Sequence, residues 1–189
     1  MGEQEGVTLV EVMVSLAILA ILAAIAVPSY RYVINSGQVS ADMNALVGTL
    51  QLARAEAIKR GLAVAVCASS TSTNVGTNGK PNANQPACTG VTNWHVGWFS
   101  FVDFNNNGSF DGTDTLIAVQ GPLASGNTLV ADNSTSVVRF NREGFVSGLA
   151  AGTVTLTLSP SSNAALQKRC LAVGSAGRLA VLKPAPGVC

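Results

Sequence analysis

The sequence predicts an α+β protein in which one long N-terminal helix, apolar in its first half and amphipathic in its second, carries a disulfide-tied antiparallel β-sheet head. Three observations predict it. An apolar run of 21 residues, Val7 to Val27, is broken only by Glu11. A helical repeat of apolar residues follows Pro28, and short β-type segments separated by Gly, Asn, Ser and Pro fill the rest of the chain.

The run VTLVEVMVSLAILAILAAIAV would reach about 30 Å as a helix, one hydrocarbon core. Segment 7–30 therefore reads as a single membrane span. A signal peptide of the ordinary kind has a basic start and a small-residue cleavage site after its apolar region. Here the polar hexapeptide MGEQEG, residues 1–6, stands before the run, so cleavage is expected ahead of it. Glu11 has two readings: a carboxylate near the headgroups, or a charge kept for a partner inside the bilayer.

From 31 to 61 the pattern becomes amphipathic. Val39, Met43, Leu46, Val47, Leu50, Ala53 and Ala57 recur at intervals of three and four, with Asp42, Gln51, Arg54 and Lys59 between them. Pro28 and Gly37 are soft points where a kink is expected. Lys59 and Arg60 suit the negative end of the helix, and Gly61 supplies its stop.

Residues 62–189 form the expected head, with strands at 62–68, 94–104, 115–120, 136–140, 153–158, 170–174 and 178–183. The polar stretch 69–93 is longer than most internal connections and reads as an exposed loop. All four cysteines, Cys67, Cys88, Cys170 and Cys189, lie in this region, none as C-x-x-C, with His95 the one histidine available to a zinc set. Disulfides in an oxidising compartment fit better than metal. Four cysteines allow three pairings; Cys67 with Cys88 and Cys170 with Cys189 join chain neighbours and leave no thiol over.

Charged residues make up 11% of the chain and mean hydropathy is +0.37, a balance pulled toward lipid by the N-terminus. The net charge of +1 says little about partners, yet from Arg139 onward six basic residues face Glu143 alone. One histidine, no G-x-S-x-G and no phosphate-binding glycine loop argue against an enzyme, and no cofactor is required.

The stretch Gly6-Val7-Thr8-Leu9-Val10-Glu11, with the apolar helix and Ala26-Val27-Pro28-Ser29-Tyr30 behind it, closely resembles the signal of type IV pilins and pseudopilins. That resemblance implies cleavage after Gly6 by a prepilin peptidase, methylation of the new N-terminus at Val7, and assembly through Glu11. The chain departs from the pattern in Val7, where Phe is usual, and in the acidic Glu3 and Glu5 of the leader. Pairing Glu11 of one subunit with the Val7 amine of its neighbour would offset two desolvation costs and set helix register.

The head resembles the GspH/FimT group of minor pilins through LQLARAEAIKRG at 50–61, WHVGWFSFVDFNNNGSFDGTD at 94–114 and FNREGFVS at 140–147. The resemblance implies a minor subunit at a pilus tip, with or without binding of double-stranded DNA during natural transformation, or a type II secretion pseudopilin without DNA binding. It implies other pilins, the prepilin peptidase and the bacterial inner membrane as partners, with a periplasmic head. The G-R-x-R element of FimT-like DNA binders stands here as Gly177-Arg178-Leu179-Ala180, with Ala in the second Arg position. Lys168, Arg169, Arg178 and Lys183 are therefore either a phosphate-contacting patch or solvated strand ends.

Asp103, Asn105, Asn107, Asp111 and Asp114, with Gly108 at the sixth position, have the spacing of a twelve-residue calcium loop. Flanking strands and the Asn-Gly pair give the alternative reading, a polar β turn needing no ion. Trp94, Trp98, Phe99 and Phe101 read as core rather than as a base-stacking platform.

Overall fold

The structure is a computed structural model that describes residues 6, 8–71, 86–149, 152–162 and 167–183. Its helix α1 runs Leu9–Arg60, and the chain divides into two compact units, Met1–Gly37 and Gln38–Cys189.

In the first unit α1 starts where Thr8 caps it: the Thr8 Oγ1 accepts the Glu11 N–H at 3.3 Å. Its large apolar side chains are exposed along the whole span, Leu9 at 76% and Ile25 at 69%. Mean hydropathy reaches 2.7 over 18 residues. Such a surface is long and apolar enough to cross a membrane. The helix stays unbroken through Pro28 and Gly37, so neither soft point ends it.

In the second unit α1 lays down one buried stripe, Val39, Met43, Leu46, Leu50, Ala53 and Ala57, at the alternating intervals of a core-facing helix. Gly61 ends it at φ 65°, a conformation a Cβ disfavours.

Among the described residues nine strands follow, all antiparallel. The strands β1 (Ala63–Ala68), β2 (Trp98–Asp103), β3 (Thr115–Gln120), β5 (Val137–Phe140) and β6 (Val146–Ser147) form a five-stranded sheet in the order β3-β2-β1-β5-β6. The strands β4 (Thr128–Ala131), β7 (Thr153–Ser159), β8 (Arg169–Gly174) and β9 (Leu179–Leu182) form a four-stranded sheet in the order β4-β7-β8-β9. One face of each joins the helix stripe in a common core, with Val64, Val66, Trp98, Val102 and Phe140 from the first sheet and Leu129, Val154, Leu156, Leu158, Leu171 and Val173 from the second. Alternation along β7, buried at Val154, Leu156 and Leu158, is the period-two pattern of a half-buried strand.

The central strands β1 and β2 are buried on both faces. Outward from the main core, Ala65, Cys67, Phe99, Phe101 and Phe110 form a second cluster. The three rings lie 5.2 to 5.6 Å apart, a spacing that favours tilted and edge-on contact. Cys67 bonds to Cys88 beside them, with Cα atoms 5.6 Å apart, closing the base of the loop whose residues 72–85 lie outside the described ones.

Three strand expectations change. Trp94–Val96 is a 3₁₀ turn rather than strand, because Gly97 at φ 119° turns the chain before β2 begins. The strands β4 and β6 were not expected: their four and two residues, TLVA and VS, are too few to show alternation, and they are held by pairing with β7 and β5.

Candidate functional site

Glu11 lies in the first turn of α1, its side chain exposed within the chain. Nothing in the described part of its own chain offers that carboxylate a cation. Gly6 is exposed and outside the helix, while Val7 and leader residues 1–5 lie outside the described residues.

The four C-terminal cations do not form one patch. Lys183 follows β9 where Leu182 pairs with Cys170, so it sits beside Arg169 and Lys168. Arg178 sits at the opposite end of the β8–β9 hairpin, where its carbonyl accepts the Gly174 N–H at 3.0 Å. Five residues of strand separate the two ends, about 17 Å. They also differ in face: Arg169 shares the parity of the core residues Leu171 and Val173, whereas Arg178 lies opposite Gly174, in register with Ala172 and Ala180 on the other face. The Arg169 guanidinium turns back to the carbonyls of Gln167 and Lys168, at 3.2 and 2.8 Å. Arg178 and Lys183 are exposed.

The turn before Arg178 has a structural task that the sequence does not reveal. Arg54 of α1 donates to the Gly177 carbonyl at 2.8 Å and to that of Ala176 at 3.3 Å. Gly177 has φ 73° and lies so close to the Gly144 carbonyl and Arg54 that a Cβ would overlap them. Its glycine is thus required by packing against the helix. Arg54 and Asp42, which the helical pattern assigns to solvent, both turn to the head: the Asp42 carboxylate accepts from Ser125 at 2.6 Å and Asn127 at 2.7 Å.

The loop from Asp103 to Asp114 directs its oxygens at its own N–H groups. Asp103 accepts from the backbone of Asn107 at 3.0 Å and Gly108 at 2.8 Å. Asp114 accepts from Phe104 and Asp111, each at 3.0 Å. Asn105 accepts from Asn107, and Asn107 from Ser109. Among the described residues no three carboxylate, His or Cys side chains converge as a metal set. The work this loop visibly does is to lay Phe110 over Phe99 and Phe101.

The Thr113 hydroxyl at 2.6 Å and its N–H at 2.9 Å, with the Asn105 amide at 2.7 Å, hold the Asp111 carboxyl down to about 2. Burial pushes Asp114 up. A lowered folded value means that Asp111 contributes stability above its unfolded value near 3.8 and loses it as pH falls toward about 2. Melting followed between these values should show the advantage of the native chain over Asp111→Asn shrinking steadily as acid is added. A constant difference would show that the charge plays no part.

Trp94, Trp98, Phe99 and Phe101 are fully buried, as core residues. Cys170 is buried on β8 and disulfide-bonded; Cys189, its expected partner, lies outside the described residues.

Comparison with known proteins extends these observations. Residues 42–177 match the family described as type II transport protein GspH, and residues 1–27 match the prokaryotic N-terminal methylation motif. No curated protein sequence matches the chain. Among solved structures the chain is similar to the type IV minor pilin FimU of Pseudomonas aeruginosa, at 17% identity and TM-score 0.55, covering 85% of this chain and 96% of that one. It is also similar to the minor pseudopilin EpsH from the type 2 secretion system of Vibrio cholerae, at 14% identity and TM-score 0.49, covering 79% and 98%. With a helix-and-two-sheet head matched over residues 42–177 and a methylation motif ahead of it, the chain belongs to the GspH family of minor pilins and pseudopilins.

Proposed function

We propose that this chain is a minor subunit of a type IV pilus, held in the bacterial inner membrane by the first half of α1 with its head in the periplasm, and drawn from there to the filament tip. The observation that carries this reading is the pairing of Glu11 with a span of fully exposed apolar helix. A carboxylate in lipid is costly alone, and a second subunit's freed Val7 amine would neutralise it while the apolar faces associate. Prepilin peptidase, acting after Gly6, is what frees that amine. A pseudopilus of the type II secretion system would use the same helix and is the alternative machine. Shearing filaments from cells and probing them for this chain tests the proposal: recovery with pilin supports it, and confinement to the membrane fraction opposes it.

A second reading, capture of double-stranded DNA, is favoured by one observation: Arg178 and Lys183 are exposed and their side chains make no hydrogen bond or ion pair among the described residues. Phosphate contacts release counterions, so binding by the full chain in detergent should fall steeply between about 50 and 200 mM salt. Arg178→Ala should weaken it, because Arg178 stands apart from the other cations. Binding that is absent at low salt, or unchanged in that variant, removes Arg178 from any such role.

A further inference from the structure

On the outer face of the five-stranded sheet, beside the end of α1, lies a cleft of about 400 Å³ whose lining includes Leu62, Asp103, Phe104, Arg139, Arg142 and Glu143. Arg139 is its centre. The guanidinium lies against Gly108, where a Cβ would overlap it, and its Nε stands 3.8 Å from the Asp103 carboxylate, beyond hydrogen-bond range. The Nε is buried without a partner, and among the described residues none of the five N–H donors of this side chain makes a hydrogen bond.

The carboxylates and the Asn141 amide of the cleft, by contrast, already receive donors of their own. Both Asp103 oxygens receive backbone N–H groups. The Asn141 amide oxygen receives those of Glu143 and Phe145 at 3.1 and 2.9 Å. Glu143 receives Arg142 at 3.0 Å and Asn141 at 2.7 Å. The cleft therefore holds a planar donor fork that makes no hydrogen bond among the described residues. A carboxylate fits such a fork in two-point fashion.

Two features favour a protein carboxylate over a nucleic-acid phosphate. Two acidic groups balance the two arginines, so the cleft lacks the positive field that draws a polyanion. Phe104 is 51% exposed at the same cleft, and an exposed aromatic beside an Arg is the composition of a protein contact. Resting on the assembly reading above, we propose that this cleft receives an Asp or Glu side chain of a neighbouring pilin-class subunit, with Arg139 as the anchor.

The test uses the full chain in cells, with Phe104 replaced by the photo-crosslinker p-benzoylphenylalanine. Illumination should join the chain to another pilin-class protein at a peptide containing Asp or Glu, and Arg139→Gln should lower that yield about tenfold. Arg139→Lys keeps the charge beside Asp103 but loses the fork, and should lower it as well. Arg142→Gln alters an exposed side chain, so its smaller expected loss guards against misfolding of the Arg139 variants. Yields unchanged in all three variants, attachment to nucleic acid, or no adduct at all would overturn the proposal. If the chain is still recovered in sheared filaments, the assembly reading survives that result; its absence from filaments overturns both.

Discussion

Glu11→Ala should remove the chain from sheared filaments, by on the order of one hundredfold, while leaving its amount in the membrane unchanged. The reasoning starts from the cost of an unpaired charge in lipid. If the freed amine of a neighbouring Val7 meets Glu11, deleting the carboxylate leaves that amine buried alone, and breaking such a pair from one side costs about 3–5 kcal/mol. A factor of ten corresponds to about 1.4 kcal/mol, which sets the size of the expected loss. Membrane insertion depends on the apolar span, which the substitution leaves intact or strengthens. Glu11→Gln, of the same size but uncharged, should lose assembly as well, and Glu11→Asp should retain part of it. Normal recovery of the Ala variant would show that the helix associates by apolar packing alone.

Trp98→Ala should have the largest effect on the head itself. Trp98 is fully buried at the start of β2, where the main core meets the helix, and its indole N–H donates to the Thr49 hydroxyl of α1 at 3.1 Å. Removing the ring leaves a cavity in the main core and takes away one of the two hydrogen bonds of the Thr49 hydroxyl, which still donates to the Ala45 carbonyl at 3.0 Å. Losses of this kind run to about 3–5 kcal/mol, which for a domain of this size corresponds to a fall of roughly 10 °C in melting temperature. Trp98→Phe retains most of the apolar volume and should cost about 1 kcal/mol for the hydrogen bond. Thr49→Val should cost a similar amount, and the two together less than their sum, because they share one bond. Additive losses would show that the indole N–H and Thr49 act independently.

The long helix was the most legible part of the chain. Its buried stripe, its change from apolar to amphipathic and its stop at Gly61 all follow from local spacing, and local spacing is what a helix shows. The strands rich in Val, Leu and Thr were legible for the same reason. Division into two sheets was not, since strand order depends on contacts between distant segments. The strand β4 and the turn at Trp94 escaped because each is three or four residues long and owes its form to a neighbour.

The sites divide in the same way. Glu11 stands out as the one charge in an apolar run, and chain proximity favoured Cys67 with Cys88 without deciding among the three pairings. The basic residues near the C-terminus looked like one group because sequence counts charges without assigning faces. The hairpin register places Arg178 far from Lys168, Arg169 and Lys183. Arg54 and Arg139 gave no signal of the places they hold in the fold. Each occupies a position that polar residues commonly fill on an exposed face, and only the folded partners, the 176–177 turn for one and Gly108 with Asp103 for the other, make them distinctive.

The central claim is that this is a processed, filament-forming subunit rather than a membrane protein of another kind. The most direct test is the mass of the mature chain isolated from its own cells. A chain that begins at Val7, carries one added methyl group on its amine and has lost Met1 to Gly6 is the predicted result. A chain that keeps the hexapeptide would leave Glu11 without a freed Val7 amine to meet, and one cut after the apolar run would have lost Glu11 itself; either would contradict the account.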